Sequence, residues 1–309
     1  MTERGSNLRG LTQLKESLIG SVFFACAMLS IITTAGIVAV LIFDAADFFS
    51  QSSFWAFITG TRWSPLIRPV EFGVLPLLSG TLLFTFLTAL VAVPLGVLAA
   101  IYLSEYASRR VRGIIKPALE VLAGIPTVVY GYFALVYITP FLRNTILPDM
   151  GAFNVLSASI VVGIMIIPTI ASISEDSMRS VPDSLRQAGY GLGITKFQVS
   201  TRIVVPAAIS GIVSSFILGI SRAIGETMAV TIAAGNYPRL IQVWDLPGAV
   251  LEPVQTMTAA MVELGISDVS GQSLAYKSLF AVGLVLFAMT LTLNLVSEWI
   301  KMRYREKYE

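Results

Sequence analysis

Six stretches of this chain are apolar for about the 20 residues that a helix needs to cross a bilayer: Leu18–Phe43, Val74–Leu103, Pro117–Leu142, Phe153–Ser174, Ile203–Gly235 and Ser278–Ser297. The first, second and last hold no acidic or basic residue. In hydrocarbon a backbone must satisfy its own hydrogen bonds, which leaves helices as the economical way to cross. The sequence therefore predicts an all-α polytopic membrane protein with about six transmembrane helices.

Composition narrows the chemistry. Only 13% of residues are charged, 55% are hydrophobic and the net charge is +2, which fits lipid as solvent and argues against nucleic acid as a partner. Histidine is absent and Cys26 is the single cysteine. That excludes disulfide frameworks, thiolate or imidazole metal sites and His-based acid–base catalysis. Leu18–Phe43 is much longer than the roughly 7–15-residue core of a secretory signal, and is expected to be a retained span.

Lysine and arginine set the expected orientation. With the N-terminus inside, fifteen of them fall on cytoplasmic segments: Arg4, Arg9 and Lys15; Arg109, Arg110, Arg112 and Lys116; Arg179, Arg186, Lys196 and Arg202; and the C-terminal run Lys301, Arg303, Arg305 and Lys307. Five (Arg62, Arg68, Arg143, Arg239 and Lys277) fall outside. Both termini are expected in the cytoplasm. The chain divides into a cytoplasmic N-terminus (1–17), a first span (18–43), an external segment (44–73), a core membrane domain (74–297) and a cytoplasmic tail (298–309). Within the core lie a cytoplasmic loop (175–202) and an external loop (236–277).

The external segment is rich in aromatics (Phe48, Phe49, Phe54, Trp55, Phe57, Trp63), and an interfacial helix lying on the bilayer is expected there. Pro238, Pro247 and Pro253 in the second external loop predict a fold-back with short helices. Glu175, Asp176 and Asp183 are expected to cap helices or face water. Proline inside spans, at Pro94, Pro126, Pro168 and Pro206, is compatible both with tolerated packing and with broken helices lining a pathway.

Two constellations carry function. On the cytoplasmic loop, Ser184 to Phe197 alternates small residues with an amphipathic flank, suiting two short helices joined at Gly193, where glycine tolerates positive φ. In the fifth span, Arg222 and Glu226 stand four apart, so a continuous helix would place them on one face as a pair. Each would cost about 2.5–3.5 kcal/mol facing lipid at a helix centre, which directs them toward protein or water. An arginine fork suits an oxyanion; the competing reading is a structural ion pair. Arg222, Glu226 and the adjoining Thr227 are the candidate substrate-path residues.

The cytoplasmic loop resembles the EAA loop of ABC-importer permeases, which docks on an ATPase subunit. That pattern is Glu-Ala-Ala, three residues, Gly, nine residues, Ile-x-Leu-Pro. It falls here on Gln187-Ala188-Gly189, Gly193 and Ile203-Val204-Val205-Pro206, with every spacing kept, the glutamate replaced by Gln187, the second alanine by Gly189 and the leucine by Val205. Ala123-Gly124-Ile125-Pro126-Thr127, Ile167-Pro168-Thr169 and Arg222-Ala223-Ile224-Gly225-Glu226-Thr227 resemble the phosphate branch of those permeases, in its PstC-type rather than PstA-type form. The resemblance implies an ABC-importer permease fold in a bacterial inner membrane. It also implies ATPase coupling through Gln187, Ala188, Gly189, Gly193 and Pro206. The implied partners are a homologous PstA-like permease, two PstB-like ATPase subunits, an external PstS-like phosphate-binding protein and membrane lipid.

No phosphate-binding loop is present: Gly191-Leu192-Gly193-Ile194-Thr195-Lys196 lacks the required glycine spacing and Lys-Ser/Thr ending. No cofactor is expected in this chain, and ATP belongs to partner subunits. The chain is expected to be no enzyme by itself. The alternatives are a permease for sulfate, molybdate or another oxyanion, and an ion-coupled secondary transporter working without ATP.

Overall fold

A computed structural model describes residues 3–242, 244 and 246–304. Arg305 and Lys307, from the C-terminal basic run, lie outside the described residues. The chain begins with a long helix, α1 (Glu3–Gln51), then a short α2 (Phe54–Thr59) and a two-stranded antiparallel hairpin of β1 (Trp63–Ser64) and β2 (Glu71–Phe72). Next come α3 (Leu75–Ile101), prolonged by a π-helical turn at Tyr102–Tyr106, then α4 (Arg109–Ala123) and α5 (Thr127–Phe133). A second π turn leads to α6 (Thr139–Thr145) and the long α7 (Val155–Arg179). Then follow α8 (Asp183–Gly191), α9 (Lys196–Val199), a third π turn, α10 (Val205–Ala207) and α11 (Ile209–Ile224). The chain closes with α12 (Met228–Ala234), α13 (Leu246–Leu251), α14 (Met257–Ile266) and α15 (Leu274–Tyr304).

Four helices are long and apolar enough to cross a membrane unbroken, within α1, α3, α7 and α15. Two more spans arise if each of two bent pairs counts as one: α4 with α5–α6, bent by 89°, and α9–α10 with α11, bent by 72°. The expected six-span architecture therefore stands only with two of its spans sharply broken. The first break has a local cause. Pro126 disfavours helical geometry at Ile125, and Gly124 closes α4 by donating to the Glu120 and Val121 carbonyls. The apolar run beginning at Pro117 is thus the tail of an amphipathic helix that buries none of its residues, followed by a separate one. The fifth stretch is interrupted twice, at Ala208 and again at Gly225.

The core is a close bundle of α3, α7 and α11. Small residues set the spacing: a Cβ on Gly96 of α3 would stand 2.7 Å from Ile170 of α7, and one on Gly163 of α7 would stand 2.9 Å from Val91 of α3. In lipid, where no hydrophobic force drives helices together, such close approach supplies the van der Waals contact that holds them. Between α7 and α11 a fully buried hydroxyl pair, Ser174 and Ser215, meets at 2.7 Å.

The aromatic segment 44–73 is expected to hold an interfacial helix. The first helix continues through Phe48 to Gln51. Phe48, Phe57 and Trp63 are buried with Leu77, Met257 and Leu264 in a second core cluster. Phe48 meets Phe49, Phe57 and Phe72 edge-to-face, with centroids 5.2–5.6 Å apart. These rings therefore bury against one another, an arrangement that satisfies their quadrupoles and removes large apolar area together. Only Phe54 and Trp55 are exposed. The segment 236–277 folds back with short helices, its α13 and α14 returning toward α3, α7 and α15.

Candidate substrate path and coupling surface

Arg222 occupies the last turn of α11, where a cation complements the partial negative charge of a helix C-terminus. Its Nη1 donates to Thr169 Oγ1 at 3.3 Å, a hydroxyl on α7 immediately after Pro168. The remaining guanidinium donors make no hydrogen bond among the described residues. Tyr130 of α5 is within electrostatic reach and donates its own hydroxyl proton to the Leu122 carbonyl at 2.7 Å.

Glu226 does not join this group. The helix that would have carried it onto the face of Arg222 stops at Gly225, and Glu226 lies in the gap before α12, 7% exposed. Its Oε1 accepts from the Ala229 amide at 3.2 Å, capping the first turn of α12, and its carbonyl accepts from Thr258 Oγ1 at 2.8 Å. No ion pair joins Arg222 to Glu226, which corrects the pairing expected from their four-residue spacing. Thr227, half-buried beside them, donates to the Gly225 carbonyl at 3.2 Å. What the fold presents is a fixed cation with free donors, paired with a hydroxyl. Thr169 was within a noted motif, but nothing in its local sequence tied it to a residue 53 positions away.

The loop from Ser184 to Phe197 forms the two short helices expected of it. Two short helices, α8 and α9, meet at Gly193, which holds φ of +78°. Gly193 donates to the Tyr190 carbonyl at 2.9 Å, and α9 starts with a reciprocal capping box between Thr195 and Gln198. Gln187 and Ala188 are exposed on α8, whereas Gly189 is buried beneath them. A Cβ on Gly189 would stand 2.7 Å from Ile203 Cδ1, so a larger residue here needs the end of the Ile203 side chain to move. The tip is apolar and open: Leu192 is 82% exposed, Phe197 67% and Tyr190 46%. Pro206 is exposed in α10 near the 72° bend, at the far end of the same module.

Behind the loop lies an ionic cluster the sequence did not reveal. Glu175 is fully buried, not capping a helix or facing water as expected. Lys116 Nζ lies 2.7 Å from its carboxylate, and Arg112 and Arg179 approach at 3.4 and 3.5 Å. Asp176 and Asp183 are exposed, as anticipated. Among the described residues no group of His, Cys, Asp or Glu is arranged to hold a metal ion.

A helical bundle with four apolar spans, two bent helix pairs and an exposed apolar knob is the architecture expected of a transport permease. The family described as binding-protein-dependent transport system inner membrane component matches residues 92–306, and the chain belongs to that family. It is 33% identical over 98% of its length to the probable ABC transporter permease protein YqgH of Bacillus subtilis, covering 96% of that protein. It is 32% identical to the phosphate transport system permease protein PstC of Mesorhizobium japonicum, covering 96% of this chain and 94% of that one. PstC of Xylella fastidiosa is 34% identical, with 82% and 80% covered. Among solved structures, a bacterial ABC transporter involved in import of the acidic polysaccharide alginate matches with a TM-score of 0.63 at 16% identity, covering 92% of this chain and 96% of that one. The MetNI methionine ABC transporter in an inward-facing conformation matches with a TM-score of 0.53 at 17% identity, covering 76% of this chain and 95% of that one. At these identities the structural matches speak for the fold alone.

Proposed function

We propose that this chain is a permease subunit of an ATP-driven importer that carries inorganic phosphate across the cell membrane. The observation that carries the reading is Arg222. It is a permanently charged fork held at the end of a broken span, with donors left over for an oxyanion, in a chain similar over nearly its whole length to PstC proteins. Thr169 and Thr227 add hydroxyls to the same path. Glu226, stationed on the next piece of the chain, is the negative charge of the proposed path.

The partners that fit this reading are a second, PstA-like permease completing the path, two PstB-like ATPase subunits and a PstS-like binding protein delivering phosphate from outside. Both termini then lie in the cytoplasm. The ATPase subunits dock on the knob formed by Gln187, Ala188, Gly189 and Gly193, with Leu192 and Phe197 as its apolar tip and Pro206 at its base. This chain itself supplies no nucleotide site and catalyses no reaction.

The test is uptake of labelled inorganic phosphate into vesicles holding the reconstituted complex, with binding protein outside and ATP inside. Uptake that needs all components and fails in Arg222→Gln, while that variant still assembles and hydrolyses ATP, supports the proposal. Undiminished uptake by Arg222→Gln, preference for sulfate or molybdate over phosphate, or transport by the chain alone without ATP would each reject it.

A further inference from the structure

Cations from three separate helices converge on one π-helical turn, Tyr102–Tyr106, which carries α3 out of its bundle. Arg186 of α8 sets Nη2 3.0 Å and Nε 3.4 Å from the two carboxylate oxygens of Glu105. The same guanidinium donates to the carbonyls of Met178 at 2.7 Å and Val181 at 2.6 Å, at the end of α7, and to Asp183 at 3.2 Å. Lys196, the first residue of α9, stands over the Tyr106 ring with Nζ 4.9 Å from its centroid. Arg112 of α4 donates to the Leu103 carbonyl at 2.6 and 2.9 Å and to the Ser104 carbonyl at 3.1 Å.

The Arg186–Glu105 pair stands apart from an ordinary surface ion pair. Both side chains are nearly enclosed, 14% and 5% exposed, so the pair escapes most of the solvent screening that makes exposed pairs worth little. Two-point contact through a planar fork also fixes direction, which a single ammonium contact does not. Arg186 immediately precedes Gln187 on α8, beneath the apolar tip. Glu105 is four residues beyond the end of α3, the helix whose Gly96 packs on Ile170 of α7. A shift of α8 therefore pulls on a charged joint whose other half belongs to the spanning core.

We infer that Glu105 and Arg186 form the joint through which displacement of α8 reaches α3, with Glu105 a positioning residue that couples ATPase movement to the opening of the path. The inference rests on the importer reading above. Arg112, donating to the Leu103 and Ser104 carbonyls, ties the π turn to α4, so that Glu105 moves with a braced end of α3.

The experiment measures phosphate imported per ATP hydrolysed by the complete reconstituted complex, with Glu105→Gln, Glu105→Asp and Arg186→Lys variants beside wild type. The expected result is a ratio lowered at least about fivefold in Glu105→Gln and Arg186→Lys, with the ATPase subunits still bound and hydrolysis retained. In a Cys26→Ser background, Glu105→Cys with Arg186→Cys should be uncoupled and should recover its ratio when a short bis-maleimide joins the two thiols. A wild-type ratio in Glu105→Gln, or a cross-link without effect, overturns the inference. If Glu105→Gln does not assemble, Glu105→Asp is read in its place, a lowered ratio supporting the joint and a wild-type ratio overturning it. Failure of both to assemble marks the pair as scaffold and also overturns it. Wild type that shows no ATP-coupled phosphate uptake would instead undo the functional reading itself.

Discussion

The buried carboxylate of Glu175 lies 2.7 Å from the ammonium of Lys116 across the junction of α7 and α4. Two further guanidinium groups, of Arg112 and Arg179, crowd the same carboxylate at 3.4 and 3.5 Å. Glu175 is thus the buried anion among three cations, one of which, Lys116, also meets the exposed Asp176 at 2.7 Å. Replacing Glu175 by glutamine removes the shared carboxylate while Lys116 keeps Asp176 at 2.7 Å, and because the three cations are partly exposed the loss should be about 1.5–3 kcal/mol, as for hydrogen bonds to a charged group. Lys116→Met should cost clearly less, because Glu175 keeps two partners. Thermal unfolding of the purified complex should rank the variants in that order; equal or reversed losses would contradict the assignment.

Arg222 should be graded rather than all-or-none. Arg222→Lys keeps the charge and loses the fork, so phosphate uptake should fall but persist, whereas Arg222→Gln should abolish it. Thr169→Val removes the one hydroxyl the guanidinium engages, worth about 1.5–3 kcal/mol for a bond to a charged group. It should raise the KM for uptake from the loaded binding protein while leaving ATPase binding untouched. Equal uptake by Arg222→Lys and wild type would show that the fork is irrelevant.

Two neighbouring glycines should respond with opposite sign. Gly193 holds φ of +78° in open space, so Gly193→Ala meets no clash yet costs about 1–2 kcal/mol of left-handed strain. Gly191 also has nothing within 4 Å but lies in α8 without positive φ, and Gly191→Ala should stabilise the helix by about 0.5–1 kcal/mol. Amide hydrogen exchange across residues 183–199 should be faster in the first variant and slower in the second.

Leu192 is 82% exposed at the knob's tip. Leu192→Asp should leave the permease folded while weakening ATPase association by more than about 2 kcal/mol, as loss of an apolar anchor does, roughly 30-fold in affinity. Co-purification of the ATPase at wild-type yield from a dilute extract would refute that role.

Much of this architecture was legible because membranes enforce it. Charge-free runs of sufficient length marked α1, α3, α7 and α15, and Gly193 announced its turn because few other residues accept its backbone. Hydropathy could not mark the breaks. The apolar half of the amphipathic α4 merged with α5 into one run, although Pro126 stood between them. The rule that residues four apart share a face assumes an unbroken helix, and Gly225 ends the helix between Arg222 and Glu226. Glu175 and Lys116 are 59 residues apart in sequence, and Arg186 and Glu105 are 81 apart; periodicity carries no information at that range. Phe48, Phe57 and Trp63 could as readily have met lipid as one another, since an aromatic cluster in sequence does not say which surface covers it.

The gap at Gly225–Thr227 has a mechanical consequence. Arg222 rides on α11, wedged against α3 and α7, while Glu226 is fastened to the start of α12 and, through Thr258, to α14. In an unbroken helix the separation of these opposite charges would be a constant of the structure. Here it is a variable: any relative movement of the two bodies changes the electrostatic field at the cation, so an anion held at Arg222, as proposed, would be gripped to a degree set by the protein's conformation.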